Sequence, residues 1–95
     1  MSAFVIANVE VRDLARYEEY KALAARTIAQ YGGRYIVRGG STEVLEGTWV
    51  PKRVVVLEFP SMARAREWFH SSEYAPARRI RQETAQSDLV LVEGT

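Results

Sequence analysis

The sequence predicts an α+β fold in which a four-stranded antiparallel sheet carries helices on one of its faces. Three observations predict it. Four segments are rich in β-branched and apolar residues, as strands are. Helical patterns separate them in the order strand, helix, strand, strand, helix, strand. Two of the strands are apolar at consecutive positions, which indicates that both faces of the sheet are covered.

Composition limits the class of protein. The 95 residues fit one domain, residues 1–95, and carry a net charge of +1, which gives no electrostatic footprint for nucleic acid or a membrane surface. There is no cysteine, so disulfides and thiolate metal sites are excluded. The N-terminus lacks a signal-peptide pattern, and no apolar run is long enough to cross a bilayer. We therefore expect a soluble, cytoplasmic protein.

The first strand, AFVIANVEV (3–11), leads to Asp13, which is a good N-cap for a helix running to about Tyr31. Gly32 then suits the left-handed position that ends a helix. At 100° per residue, one broad helix face is predicted to point inward. It contains Leu14, Tyr17, Tyr20, Ala24, Ile28 and Tyr31.

The second half begins with the strand RYIVR (34–38), a long GGSTEVLEGTWVP connection and the strand RVVVLEF (53–59). Ser61 caps the helix MARAREWFH, whose predicted inward stripe is Met62, Ala65 and Phe69. A second helical piece, EYAPARRIRQETA, tolerates Pro76 only in its first turn, and SDLVLVEG (87–94) is the last strand.

This order is the split-βαβ, ferredoxin-like pattern, with strands arranged 4-1-3-2 in the sheet. Helices can cover only one face, yet RVVVLEF and SDLVLV are apolar on both. The simplest cover for the second face is the same face of another copy of the chain. We therefore predict a homodimer in which two sheets pack face to face.

The chain resembles the domain-of-unknown-function 1330 family in GGRYIVRGG, in EVLEG followed by Trp49 and Pro51, and in RVVVLEFPSM, SSEY and SDLVLVEG. The resemblance implies a dimeric α+β barrel, a superfamily that also holds cofactor-free monooxygenases, muconolactone isomerases and haem enzymes. It implies a ligand cavity between the sheet and its own helices. It supplies no reaction and no catalytic residues.

Arg38 stands at the end of a strand that should be buried. Counted with period two, Ile36 and Arg38 share one face, and a hairpin turning near Gly47 places Arg38 opposite Glu58. A bulge at the Gly39–Gly40 pair would shift that register. The structural interpretation is a cross-strand ion pair, which the sequence favours. In the functional interpretation, Arg38 keeps a donor free for a bound carboxylate or enolate.

Arg81 interrupts the apolar face that Tyr74, Ala77 and Thr84 form on the last helix. Either its stem packs while its head reaches water, or Arg81 and Tyr74 lie at the mouth of a cleft between helices and sheet. The remaining candidates are aromatic residues of the first helix, which are more often core than ligand platform. The candidate ligand-binding residues are thus Arg38, Glu58, Arg81, Tyr74, Tyr17 and Tyr20.

Two functional hypotheses remain. In the first, the protein is either a binding domain for a small anionic or enolisable molecule or a cofactor-free enzyme of the monooxygenase or isomerase kind. In such an enzyme, arginine would stabilise negative charge and Glu58 or a tyrosine would move a proton. In the second, it is a non-catalytic dimeric module with a structural, regulatory or stress-related role. His70 is the only histidine, so no metal site and no cofactor are expected. Trp49 either covers its own sheet edge or reaches over a partner subunit.

Overall fold

The computed structural model describes Met1–Thr95 and has the predicted order of elements. The four strands form one antiparallel sheet in the order β2-β3-β1-β4, which confirms the predicted arrangement. The second helical region consists of two pieces, as expected. The elements are β1 (Ala3–Val11), α1 (Leu14–Gln30), β2 (Arg34–Arg38), β3 (Val54–Phe59), α2 (Met62–His70), α3 (Ala75–Thr84) and β4 (Ala85–Glu93).

Helix α1 begins and ends at the predicted residues. The carboxylate of Asp13 accepts the backbone N–H of Arg16 at 3.2 Å, which satisfies a donor that the first helical turn leaves free. Gly32 follows the helix with φ at +78°, a conformation that glycine adopts without steric cost. Tyr17 and Ala24 are buried, whereas Leu14 is 74% exposed. The predicted inward face therefore wrongly included Leu14, its first residue.

Trp68 is the largest fully buried side chain, and the predicted stripe of α2 omitted it. Its ring packs against Tyr74, with 4.1 Å between centroids, and against Phe59, at 5.3 Å. The indole N–H donates to the hydroxyl of Thr27 at 3.0 Å, so this buried donor is satisfied. Trp68 thereby joins α1, α2, β3 and the start of α3 in one core.

Strand β2 contains a bulge. Tyr35 lies opposite Leu57, but Val37 lies opposite Val56, so Ile36 is an extra residue in the ladder. An odd extra residue reverses the alternation of side chains beyond it. Tyr35 and Arg38 consequently lie on the same side of the sheet. The sequence-based prediction placed Arg38 on the same face as Ile36 and Tyr35 on the other face. That prediction is wrong because of the bulge.

The two faces of the sheet differ in what covers them. The inner face, which the helices cover, includes Val5, Leu57 and Phe59, all buried. The outer face has no helix, although its surface is largely apolar. Its exposed apolar residues include Ile6, Val37, Val90 and Val92. None of the helices has the length and apolarity that crossing a membrane requires.

Residues 39–53 form a long irregular segment between β2 and β3, which we call the arm. Its base is held where the backbone N–H of Lys52 donates to the side chain of Asn8 at 2.9 Å. Leu45, Trp49 and Val50 are 90%, 63% and 66% exposed. Most of the Trp49 side chain is thus in solvent, so it buries little area against the edge of its own sheet.

Gly33 provides a test of packing at the end of α1. A Cβ atom there would lie 2.6 Å from Phe59 and 2.9 Å from Ile28. We expect Gly33→Ala to destabilise the fold by about 1–3 kcal/mol, the usual cost of overpacking a core. Urea unfolding at one fixed protein concentration measures this cost.

Gly40→Ala is the matched control, because a Cβ at Gly40 meets nothing within 4 Å and the residue has no positive φ. The same chemical change should leave the unfolding midpoint of this variant near that of the wild type. Equal midpoints for the two variants would contradict the packing at Gly33.

Candidate functional site

A cleft lies between the inner face of the sheet and helices α1 and α3. Its cavity volume is about 30 Å³, which is room for a water molecule and not for an organic ligand in the present side-chain positions. Four cationic residues and no acidic residue line it. We call it the arginine cleft. Its polar and aromatic lining comprises Tyr17, Tyr20, Lys21, Tyr35, Arg38, Arg53, Trp68 and Arg81.

Arg81 lies where the pattern of the last helix placed it, on one buried face with Tyr74, Ala77 and Thr84. Only 5% of the residue is exposed. Its Nε donates to the hydroxyl of Tyr74 at 3.4 Å, a long hydrogen bond, and it forms no ion pair with any carboxylate. Arginines are rarely this buried unless an acid pairs with them, because an unpaired buried charge is costly. The head of Arg81 therefore does not reach water, so the first predicted role is wrong. Arg81 lines the cleft, but it is buried there and does not lie at the mouth, where the second role placed it with Tyr74.

The tyrosines of the cleft form a connected group. The hydroxyls of Tyr20 and Tyr74 are hydrogen-bonded at 2.9 Å, and the rings of Tyr17 and Tyr20 lie 5.2 Å apart. Burial raises the pKa of Tyr17 and Tyr35, and burial together with Tyr74 raises the pKa of Tyr20 well above the ordinary value. These phenols therefore stay neutral near pH 7 and cannot supply the negative charge that the arginines lack.

Arg38 reaches the cleft from the end of β2. The bulge turns it to the inner face, where its guanidinium carbon lies 4.2 Å from the centre of the Tyr35 ring. This is a cation–π contact, and it leaves the N–H groups in the guanidinium plane available for other partners. The residue is exposed, so Arg38 stands at the mouth of the cleft.

Glu58 is not part of the cleft. It lies on the outer face opposite Phe4 and Arg34, and its carboxylate accepts the Nε–H of Arg34 at 2.7 Å. That hydrogen bond lowers the pKa of Glu58. The predicted Arg38–Glu58 pair is wrong for two reasons. The register places Arg34, four residues earlier in β2, opposite Glu58, and the bulge at Ile36 turns Arg38 to the other face, opposite Val55. Of the six candidates, Arg38, Arg81, Tyr17, Tyr20 and Tyr74 come together and Glu58 does not.

Arg53 is the cleft residue that the sequence analysis missed. It precedes β3 with the same period-two parity as Val55 and Leu57, and this parity could have placed it on the inner face. Its carbonyl accepts the backbone N–H of Val9 at 2.8 Å. Its guanidinium carbon lies 6.0 Å from the centre of the Tyr17 ring, and its Nε is buried without a hydrogen-bond partner.

His70 ends α2 and lines a different cavity of about 200 Å³ beside β4, together with Arg66 and apolar residues. It is exposed and lies outside the arginine cleft. No three histidine or acidic side chains are placed so that they could share one metal ion.

The fold and this cleft define a ferredoxin-like α+β protein. Residues 2–95 match the family described as Domain of unknown function (DUF1330), and the chain belongs to that family. The predicted family is thus confirmed. No curated protein matches the chain.

Several solved structures share the fold. One is a protein of unknown function from Rhodopseudomonas palustris, 20% identical over 99% of this chain and 82% of its own, with a TM-score of 0.80. A dimeric ferredoxin-like protein of unknown function from Jannaschia sp. CCS1 is 13% identical over 99% and 100% of the two chains, with a TM-score of 0.73. SnoaB, a cofactor-independent oxygenase from Streptomyces nogalater, is 13% identical over 99% and 93%, with a TM-score of 0.68. At these identities the likeness shows the fold alone.

The buried tyrosines predict an unusual alkaline titration. Their folded pKa values are raised, so the stability that they contribute is fully present below about pH 10 and is lost as the pH rises through the folded values. We expect the near-ultraviolet absorbance of tyrosinate to develop above pH 10 in the folded protein. Tyr20→Phe should remove the phenol that titrates at the highest pH.

The same titration in concentrated guanidinium chloride is the control, because all five tyrosines should then ionise together near pH 10. If the folded wild type and the unfolded chain titrate alike, the burial of these phenols is wrong.

Proposed function

We propose that this protein binds a small anionic or enolisable molecule in the arginine cleft. The observation that carries the proposal is Arg81, a buried guanidinium without a carboxylate partner. Arg38 and Arg53 reach the same cleft, and neither forms an ion pair. A bound anion would supply the missing negative charge, and a guanidinium presents paired donors that match the two oxygens of a carboxylate.

An enzyme of the cofactor-free oxygenase or isomerase kind would use the same charges. Guanidinium groups stabilise the negative oxygen of an enolate, and preorganised charge in a cleft with little water is an effective catalytic device. Proton transfer would fall to a tyrosine hydroxyl, since Glu58 lies on the other face of the sheet. The description of SnoaB as a cofactor-independent oxygenase on the same fold supports this form of the proposal.

The alternative function is that of a non-catalytic dimeric module. One observation favours it: the cleft holds only about 30 Å³, because tyrosine and tryptophan rings fill it. Ligand entry therefore requires side chains at the mouth to move, and Arg38 is the exposed one that rests on Tyr35. The two functions differ in whether any small anion stabilises the protein.

A thermal-shift screen of small carboxylic acids and quinones tests the binding function. A ligand at about ten times its Kd should add ~1.4 kcal/mol to the stability of the fold. For a domain of about 60–100 residues, each kcal/mol raises the Tm by roughly 4–8 °C. Arg81→Met should abolish the shift while leaving the Tm without ligand unchanged or higher, because it removes an unpaired buried charge.

Arg79→Met is the matched control, since Arg79 is an exposed arginine on the same helix. It should keep the wild-type response. The binding function fails if no compound stabilises the wild type, or if Arg81→Met and Arg79→Met respond alike.

We also propose that the chain forms a homodimer through the outer face of its sheet. Val90 and Val92 are 59% and 44% exposed on a face that no helix covers. The C-terminal end of the arm is hydrogen-bonded to Asn8 on that face, and the arm carries the exposed apolar side chains of Trp49 and Leu45. Exposed apolar patches of this kind mark association surfaces, and the Jannaschia protein of the same fold is dimeric.

Val90→Lys tests the assembly. A lysine on the outer face would bring like charges together across a symmetric interface, so we expect a monomer by sedimentation equilibrium at micromolar concentration. Leu14→Lys is the control, since Leu14 is an apolar residue on the helical side that is even more exposed than Val90. A monomeric wild type would overturn the dimer.

A further inference from the structure

The arginine cleft has an excess of positive charge that a single negative charge would not balance. Arg38, Arg53 and Arg81 line it without any carboxylate. Lys21, the fourth cation, is already paired with Glu18 at 3.0 Å. Because burial keeps the lining tyrosines protonated, no phenolate offsets the arginines either.

Arg53 lines the same small cleft as Arg38 and Arg81. Its guanidinium carbon lies 6.0 Å from the centre of the Tyr17 ring, and that of Arg38 lies 4.2 Å from the centre of the Tyr35 ring. Both rings line the cleft, so an anion bound there is within electrostatic reach of all three arginines. The pKa of Tyr17 agrees with this placement, since Arg53 and Arg81 both lower it against the effect of burial.

The position of Arg53 is fixed from two sides. Its backbone carbonyl is held by Val9, as described above, and its guanidinium lies against Gly39 at the end of β2. A Cβ atom on Gly39 would lie within 2.5 Å of the guanidinium carbon. Gly39 has φ at +71°, so this residue combines a backbone conformation suited to glycine with the space that Arg53 occupies. The buried Nε of Arg53 remains without a partner.

We propose that the arginine cleft takes a small dianion, such as a dicarboxylate or a phosphate group, and that Arg53 selects the dianion over a monoanion. This inference rests on the proposed binding function and narrows its ligand class. Arg81 and Arg38 hold one negative group from the two sides of the cleft, and Arg53 holds the second. A monoanion held by Arg81 and Arg38 leaves the buried Nε of Arg53 without an acceptor.

The test compares dianions with monoanions of nearly the same shape. Malonate and phthalate are titrated beside their monomethyl esters, with inorganic phosphate as a separate arm, all at constant ionic strength because screening alters charge effects. The readouts are the thermal shift and the Kd by calorimetry. We expect each dicarboxylate to bind the wild type at least about tenfold more tightly than its monoester, a difference typical of one charge-assisted contact.

Two variants test the role of Arg53. Arg53→Met should reduce the preference for the dianion to within about twofold while monoester binding persists. Gly39→Ala should reduce it similarly, because its methyl group displaces the guanidinium of Arg53. Gly47→Ala is the matched control: Gly47 also has a positive φ, +91°, but a Cβ there meets nothing within 4 Å. It carries the same backbone cost and should keep the preference.

The outcomes separate this inference from the function on which it rests. Equal binding of dicarboxylate and monoester would overturn the inferred preference for a dianion, while the proposed binding of small anions would stand. A preference that survives Arg53→Met would overturn the role of Arg53. If none of the anions binds, the inferred preference for a dianion and the proposed binding function are both wrong. Tighter binding of phosphate than of both dicarboxylates would support the dianion and assign it to a phosphate group.

Discussion

The bulge at Ile36 decides what each face of this sheet can do. In a regular strand, Arg38 would follow Ile36 to the outer face, and its cation would lie among apolar residues of that face such as Val56 and Val90. The extra residue sends Arg38 inward instead, next to Tyr35, and leaves an apolar outer face. One irregularity thus separates a polar cleft on the inner side from a surface suited to association on the other. Both proposals depend on that separation.

The inner side is an unusual compromise between core and site. Trp68, Tyr74 and Phe59 pack there as densely as a core requires, yet Arg81 is buried among them with one long hydrogen bond. Stability alone would favour an apolar residue of similar volume at position 81, because the charge loses its hydration on folding. Because burying the charge of Arg81 lowers the stability of the fold, a bound ligand explains this residue better than packing does.

The sequence predicted features that depend on neighbours along the chain. Asp13 and Ser61 cap their helices as expected, and the face containing Tyr74 and Arg81 is the buried one, since helix periodicity is a local property. Features that depend on pairing were predicted less well. The partner of Glu58 is Arg34 and not Arg38, because the register of β2 against β3 depends on where the long arm turns, and no local pattern sets it. Arg53 was missed because it precedes its strand. The small volume of the cleft follows from how aromatic rings of α1, β2 and α2 pack together, which is not a local property.

The two tryptophans of the chain occupy opposite environments, and this gives the protein two built-in optical probes. Trp68 is 1% exposed, lines the cleft and stacks on Tyr74, the residue that directly precedes α3. Trp49 is 63% exposed in the arm. Their fluorescence emission should therefore have two components: one at shorter wavelength from Trp68 in the core, and one at longer wavelength from Trp49 in the arm. Replacing either tryptophan with phenylalanine would leave an emission signal that reports on one side of the molecule alone.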